Sequence, residues 1–235
     1  MGQPLIFSLI DKAIFDYNLI KSGDRLLIAA SGGKDSTVLA EYFSNRIKRK
    51  NCDFSVKAVH IETEITKPLS PELKETFSLW NMECENIKVD VLGRLKKDKK
   101  MNCFWCSTQR RTELIKYAID NNYNKLVLGH HMDDMLETLL MNMLEKGELS
   151  TMAPILNYKK YPLTIIRPLC YVTEDKIIEH AEKSGYISQV CTCNYQENSF
   201  RKEARKKLEF LTGGDPVKKQ HMFDSLKNIL TEYLP

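Results

Sequence analysis

The chain has 235 residues, of which 43% are hydrophobic and 28% charged, and its formal net charge is +4. This balance is ordinary for a soluble globular protein, and no stretch is apolar over the length needed to cross a membrane. The first residues also lack the basic and apolar layout of a signal peptide, so we expect a single cytoplasmic domain over 1–235 with no membrane partner. Seven cysteines in that compartment indicate metal, redox or core roles rather than a disulfide framework.

The hydrophobic pattern predicts strands separated by helices, after an N-terminal helix at about 3–20. The predicted strands lie at about 25–30, 55–61, 85–92, 125–130 and 163–167. Ser70, followed by Pro71 and Glu72, marks a helix start between the second and third strands. We therefore expect an α/β fold: a parallel five-stranded sheet with helices on both faces and helical additions at both ends, the second over about 195–235.

The first predicted strand ends in a glycine-rich turn that reads Ala29-Ala30-Ser31-Gly32-Gly33-Lys34-Asp35-Ser36, and a helix follows at once. The glycines let backbone N–H groups approach an anion, and the helix dipole and the serine hydroxyls add to the attraction. A Walker P-loop requires a glycine at the position of Ile28 and tolerates Asp35 poorly. The turn therefore predicts a phosphate site of another kind; the alternative is a β-to-α turn without a ligand.

Several polar groups follow the ends of the predicted strands, where parallel sheets bind their ligands. These groups are His60-Ile61-Glu62, Gly129-His130-His131 and Arg167. Asp133 and Asp134 then open the next helix. Carboxylates at that position cap the helix, and they are also suited to holding Mg²⁺ on phosphates or to moving protons, so both interpretations stay open.

Two cysteines, Cys103 and Cys106, stand three residues apart at the start of a predicted helix that runs to about 122. This spacing directs both sulfurs at one metal, and the helix terminus and nearby arginines favour thiolates. Cys191 and Cys193 follow far downstream. A closed zinc site made by these four cysteines, with a purely structural role, is the alternative to a reactive centre with an open coordination position.

The glycine-rich turn resembles the PP-loop of the N-type ATP pyrophosphatases, and the order of motifs over most of the chain resembles the tRNA 2-thiocytidine synthetase family. Further matching landmarks are Cys103-x-x-Cys106 with two following arginines, Gly129-His130-His131-Met132-Asp133-Asp134, Glu137-Thr138-Leu139, Asn142-Met143, Ile166-Arg167-Pro168-Leu169 and Gln196-Glu197-Asn198. The resemblance implies an enzyme that adenylates C2 of a tRNA base, with cytidine 32 as the target, and replaces its oxygen with sulfur. It also implies a 4Fe–4S cluster, Mg²⁺, ATP as substrate, and a cysteine desulfurase or inorganic sulfide as sulfur donor; a homodimer stays open.

By this resemblance Cys103 and Cys106 are two of the cluster ligands, and for the third the resemblance favours Cys193 over Cys191. The expected ATP-binding residues are Ala29, Ala30, Ser31, Gly32, Gly33, Lys34, Asp35, Ser36, His60, Ile61, Gly129 and Asp134. The expected catalytic residues are Asp35, Arg110, Asp133 and Asp134. Arg110 is included because it stands where a related thiolase subfamily carries a catalytic lysine. Basic residues that we expect to bind RNA phosphates are Lys97, Lys99, Lys100, Arg111, Arg201 and Arg205. For the last two, a solvated helix face is an equal alternative.

Three other functions fit parts of the sequence. A tRNA 2-thiouridine synthetase would share this core but adds zinc-binding cysteine pairs at its ends, whereas no cysteine here precedes Cys52 or follows Cys193. An ammonia-using amide ligase built on the same PP-loop would not need the three cysteines. An RNA-binding protein with structural zinc and a degenerate nucleotide site would need no ATP turnover.

Overall fold

The computed structural model describes residues 2–49, 53–66, 68–95, 101, 103–185 and 200–234, without the side chains of Cys103 and Phe104. The helices within these ranges are α1 (Leu5–Asp16), α2 (Lys34–Lys48), α3 (Pro71–Leu79), α4 (Cys103–Asp120), α5 (Met132–Lys146), α6 (Glu174–Lys183), α7 (Phe200–Thr212) and α8 (Pro216–Ser225). The strands are β1 (Arg25–Ala29), β2 (Ser55–Glu62), β3 (Cys84–Lys88), β4 (Lys125–Val127), β5 (Ile155–Asn157) and β6 (Thr164–Ile166). None of the described helices is long and apolar enough to span a bilayer.

The six strands form one sheet in the order β3-β2-β1-β4-β6-β5. Neighbouring strands are parallel except β5, which pairs antiparallel to β6 at the edge. The predicted α/β architecture is thereby confirmed, whereas the predicted number of five strands is wrong by one. The additional strand has only three residues and two of them are exposed, so it carries no period-two pattern that a sequence could reveal.

Alternate residues of β1 face two separate hydrophobic cores. Leu26 and Ile28 lie in the larger core with apolar residues of α1, α2, α3, α5 and α6, whereas Leu27 lies in the smaller core, against which α4 packs. A strand buried on both faces needs an unbroken apolar run, which is why the segment before the glycine-rich turn is so hydrophobic. Helices therefore cover both faces of the sheet, as the sequence predicts.

The carboxyl edge of the sheet collects the polar loops. β1 runs into the glycine-rich turn, β4 into Gly129 and the two histidines, and β6 into Arg167. Because a crossover helix returns antiparallel to the strand before it, α2, α4 and α5 all begin at this edge. The helical additions predicted at the two ends are present as α1, α7 and α8; α7 and α8 pack on α5, whose first turn belongs to the edge.

Candidate active site

The glycine-rich turn is held open by its own hydrogen bonds. Gly32 has φ +82°, a left-handed conformation that glycine adopts without strain, and Gly33 caps α2. The Ser31 N–H donates to Ser36 Oγ at 3.1 Å, and Ser36 Oγ in turn donates to the Gly33 carbonyl at 3.1 Å. The first N–H groups of α2 consequently surround a concave backbone surface of the kind that binds phosphate.

Lys34 lies in this turn between two carboxylates. Its Nζ donates to Glu174 Oε1 at 3.0 Å and lies 3.3 Å from Asp35 Oδ1. Burial lowers the pKa of Lys34, but Asp35 and Glu174 outweigh it, so the net shift is upward and the side chain is a cation at neutral pH. Burial raises the pKa of Asp35, against the opposing effect of Lys34. Asp35 Oδ1 is buried, and the Lys34 ammonium is its ion-pair partner.

Two neighbours shape the turn from adjacent strands. A Cβ on Gly129 would lie 3.2 Å from Asp35 Cβ and 3.3 Å from the Ser36 nitrogen, so only glycine lets the end of β4 approach α2 this closely. His60, at the end of β2, has its Nδ1 2.7 Å from the Ala30 carbonyl oxygen and is 1% exposed. Of the predicted nucleotide residues, His60 and Gly129 therefore lie against the 29–36 turn, whereas Ile61 belongs to the smaller hydrophobic core.

The two aspartates at the start of α5 have different environments. Asp133 Oδ2 accepts the Glu174 N–H at 2.7 Å, and its Oδ1 lies 2.8 Å from Lys219 Nζ, so both oxygens have protein partners. Burial raises the pKa of Asp133, but His131, Lys219 and the Glu174 N–H outweigh it, and the net shift is strongly downward. Asp133 therefore has the contacts of a group that positions α6 and α8.

Asp134 instead faces the positive charges around it and lies near enough to Asp35 of the glycine-rich turn to affect its pKa. Its Oδ2 accepts the His131 N–H at 3.1 Å, which caps α5, and its Oδ1 is 3.5 Å from the Arg201 guanidinium. Burial raises the pKa of Asp134, and the positive charges around it lower it by more. The charge of Asp134 in turn helps to raise the pKa of Asp35, so the two predicted catalytic carboxylates share one electrostatic environment.

Arg201 and Arg205, both predicted to bind RNA, make ion pairs within the protein. Arg205 Nε donates to Glu137 Oε1 at 2.7 Å, and its guanidinium lies 3.6 Å from Glu174. Arg201 lies 3.6 Å from the second oxygen of Glu137, which is fully buried. These ion pairs join α7 to α5 and α6. The sequence predicted that Arg201 and Arg205 either bind RNA or lie on a solvated helix face, and neither prediction includes these contacts within the protein.

The first turns of α4 bring the CxxC motif to the carboxyl edge. Cys106 is half-buried, and Trp105 beside it packs against the smaller core. Arg110 follows Cys106 by one helical turn on the same face, and its buried Nε has no hydrogen-bond partner among the described residues. The described residues contain no group of three His, Cys, Asp or Glu side chains able to hold a metal. The Cys103 side chain and the predicted residues Cys193, Lys97, Lys99 and Lys100 lie outside the described part.

Sequence reasoning did not assign roles to three residues of this site. Glu174 bridges Lys34 and Arg205, Glu137 receives both α7 arginines, and Lys219 reaches Asp133. Glu137 belongs to Glu137-Thr138-Leu139, one of the motifs that match the family, and only this motif could have drawn attention to it. Glu174 and Lys219 occupy ordinary helical positions, and nothing in the sequence distinguishes them from exposed charges.

Comparison with known proteins supports this geometry. A family model described as a PP-loop domain matches residues 8–209. A tRNA-cytidine(32) 2-sulfurtransferase of Geotalea uraniireducens is 33% identical over 230 residues, which cover 96% of this chain and 91% of that protein. The chain belongs to the tRNA-cytidine(32) 2-sulfurtransferase family. A further member of this family, from Nitrosospira multiformis, is 34% identical, with 96% of this chain and 77% of that protein covered.

The fold of this tRNA-cytidine(32) 2-sulfurtransferase family member also matches a solved structure. A U34-tRNA thiolase from Methanococcus maripaludis, solved with its 4Fe–4S cluster, superposes with a TM-score of 0.78 at 22% identity, covering 98% of this chain and 80% of that one. At that identity the likeness establishes the fold alone. Family membership thus comes from the sequence relatives, and the architecture from both comparisons.

Proposed function

We propose that the protein is an ATP-dependent tRNA thiolase that adenylates C2 of cytidine 32 and replaces the C2 oxygen with sulfur. Family membership supports the target, because the relatives covering almost the whole chain carry that activity in their names. The single observation that carries the chemistry is that the PP-loop and the start of the CxxC helix both follow strands at the carboxyl edge of one sheet.

The PP-loop performs the first half of the reaction. The C2 oxygen of the base attacks the α-phosphorus of ATP, the α–β phosphoanhydride bond breaks, and pyrophosphate leaves. The N–H groups at the start of α2 and the Lys34 ammonium stabilise the negative charge on the leaving group. Lys34 reaches the phosphates from its position 3.0 Å from Glu174, so ATP competes with this carboxylate for the lysine.

Mg²⁺ fits the acidic side of the same surface. Asp35 Oδ1 is buried and lies 3.3 Å from the Lys34 ammonium, and a carboxylate oxygen is a suitable Mg²⁺ ligand once that lysine turns to the phosphates. Asp134, whose pKa is lowered by the positive charges around it, would strengthen the attraction for such a cation. A Mg²⁺ ion held by the two carboxylates would offset the repulsion that a triphosphate would otherwise experience at this acidic edge.

The start of α4 fits a cluster-binding role in the second half. Cys106 is partly accessible at the carboxyl edge. One turn later, the buried Nε of Arg110 has no hydrogen-bond partner among the described residues, and a guanidinium at this position suits a negatively charged group held by thiolates. Cys103, Cys106 and Cys193 would hold the 4Fe–4S cluster, which supplies an iron with an open position for sulfide. Arg110 orients the adenylated base while sulfide forms the C2–S bond, the C2–O bond breaks and AMP departs with the oxygen.

The deciding experiment is nucleoside mass spectrometry of tRNA from cells with and without the protein. We expect 2-thiocytidine to disappear in the deletion and to return with the wild-type chain. A Cys106→Ser chain should fail to restore it, whereas Cys84→Ser, which alters a cysteine on β3, should restore it fully. Loss of a 2-thiouridine instead would assign the protein to uridine thiolation, and an unchanged nucleoside profile would contradict thiolation altogether.

A further inference from the structure

An open groove of about 640 Å³ lies on the surface of α7. It is lined by Lys202, Arg205, Lys206, Glu209 and Phe210. On the same helix Ala204 and Leu208 are buried. Residues four apart lie above one another on a helix, so Lys202, Lys206 and Phe210 form one stripe on the side of α7 away from these buried residues. The groove therefore belongs to the solvent-exposed face of α7.

Phe210 exposes an aromatic ring to water in this groove. It is 89% exposed, the highest value among the large hydrophobic side chains in the described part of the chain. A single exposed ring is ordinary on a protein surface, but this one follows Lys206 by four residues and shares its stripe. Proteins hold single-stranded nucleic acid with this combination, because bases stack on the ring while the cations contact the phosphates.

The groove also carries a positive charge. Three of its five described lining residues are cations, and Glu209 is the one carboxylate among them. The Glu209 side chain turns toward the connection between α7 and α8, where a Cβ on Gly214 would lie 2.9 Å from its Oε1. Glu203, on the neighbouring side of the helix, forms an ion pair with Lys207 at 2.8 Å. The charge of the groove therefore suits a polyanion better than a cationic or uncharged partner.

This groove lies beside the nucleotide site without being part of it. Arg205 lines the groove and is also 3.6 Å from Glu174 Oε2. Glu174 Oε1 accepts a hydrogen bond from Lys34 at 3.0 Å, so two ion pairs connect the edge of the groove with the PP-loop. Phe210 follows Arg205 by five residues, about 7.5 Å further along the helix axis. A polyanion in the groove would therefore approach the reaction centre from one side and leave the PP-loop free for ATP.

We propose that this groove binds an unpaired stretch of the tRNA near the target cytidine, with one base stacked on the Phe210 ring and backbone phosphates against Lys202 and Lys206. This inference rests on the proposed function, because it takes tRNA as the partner. Only a base outside a duplex can stack on a side chain, so the groove holds a loop of the tRNA rather than a stem. The ring thereby adds a contact to a base to the phosphate contacts that the sequence predicted for α7.

The test measures the affinity of the full-length, anaerobically purified protein for tRNA as a function of salt concentration. We expect Phe210→Leu to weaken tRNA binding about tenfold, through the loss of one stacked base, without changing the slope of log affinity against log salt. Lys206→Gln should instead reduce that slope by about 0.7, the value for one phosphate contact in a single strand. Phe210→Trp keeps an aromatic ring and should bind tRNA as tightly as the wild type.

Matched controls exist for both kinds of change. Phe15 on α1 is 86% exposed, so Phe15→Leu removes an equally exposed ring elsewhere and should leave tRNA binding unchanged. Lys48→Gln removes an exposed lysine in the last turn of α2, at the opposite edge of the sheet, and should not change the slope. A fully paired RNA duplex should bind the wild type and Phe210→Leu equally, because its bases are stacked on each other.

ATP affinity and oligomeric state are measured on the same variants. Unchanged tRNA affinity in Phe210→Leu together with an unchanged slope in Lys206→Gln would overturn the inference, and so would an equal loss of affinity in Phe15→Leu. A changed oligomeric state in Phe210→Leu with normal tRNA binding would also overturn it and assign the groove to a second copy of the chain. Weaker ATP binding with unchanged tRNA binding would do the same, because the bound anion would then be the nucleotide. Failure of the proposed function is distinguishable: tRNA from cells without the protein would keep its 2-thiocytidine, while Phe210→Leu would still weaken tRNA binding.

Discussion

The buried ion pair between Lys219 and Asp133 gives a quantitative test of how α8 supports the site. Lys219 is 6% exposed and Asp133 5%, and replacing Lys219 with Met removes the charge while keeping most of the volume. Breaking a buried pair from one side costs about 3–5 kcal/mol, because the remaining charge is left uncompensated. In this variant Asp133 keeps its hydrogen bond from the Glu174 N–H and its contact with His131, so we expect the free energy of unfolding to fall by about 3 kcal/mol, at the low end of that range.

Thermal unfolding followed by circular dichroism measures this loss. For a chain of this size about 3 kcal/mol corresponds to a fall in Tm of roughly 6–12 °C. Lys218→Met, an exposed lysine one residue earlier on α8, is the control and should change Tm by less than about 2 °C. The double variant Lys219→Met/Asp133→Asn should be more stable than Lys219→Met alone, because it no longer buries an unpaired charge.

The pH dependence follows from the directions of the two pKa shifts. The pKa of Asp133 is lower in the folded protein than in the unfolded chain, where it is near 3.9. The ionised carboxylate therefore stabilises the fold above about pH 3.9, and this stabilisation is lost as the pH falls toward the folded pKa. Burial lowers the pKa of Lys219, but Asp133 raises it by more, so this contribution is lost only as the pH rises through the folded value, above about 10.4. The stability difference between wild type and Lys219→Met should therefore be largest between about pH 5 and 9 and shrink in acid. A difference below about 1 kcal/mol at pH 7, or one that grows in acid, would refute this reasoning.

Three further predictions concern the site itself. Gly129→Ala should destabilise the protein by about 1–3 kcal/mol and weaken ATP binding, measured by calorimetry, because the added Cβ would lie 3.2 Å from a PP-loop side-chain carbon; unchanged ATP affinity would contradict the close approach. Glu174→Gln should tighten ATP binding severalfold in the same assay, because Lys34 no longer has this competing carboxylate; weaker binding would show that the carboxylate assists ATP instead. Cys106→Ser should lose bound iron after anaerobic reconstitution while Cys84→Ser retains it, and equal iron in both would exclude Cys106 as a ligand.

The sequence predicted those features that depend on local pattern. The apolar run of β1, the glycine-rich turn and the start of α5 at the two aspartates are all present where expected, because each is specified by residues close together in the chain. The position of the site followed from the rule that parallel strands end at one edge. The edge strand β5 escaped prediction, since three residues with two side chains exposed carry too little periodicity.

Long-range pairing could not be predicted in the same way. Arg201 and Arg205 have the spacing of a basic, solvated or RNA-binding helix face, and the partner that changes this interpretation, Glu137, lies more than 60 residues earlier in the chain. The same holds for Lys219 and Asp133, where a lysine in an unremarkable helix becomes buried only through tertiary packing. The assignment of Cys193 as the third cluster ligand stays a prediction, since that residue lies outside the described part.

The position of Glu174 between two cations has a consequence for substrate exchange. Its carboxylate faces Lys34 on one side and Arg205 on the other. In the proposed reaction, a triphosphate that draws Lys34 away from Glu174 would leave this carboxylate with Arg205 as a neighbour of opposite charge, so an unpaired negative charge would not oppose ATP binding. After pyrophosphate leaves, Lys34 would form its ion pair with Glu174 again. Binding and release would then exchange one ion pair of Lys34 for another, and the lysine would not be left without a partner of opposite charge.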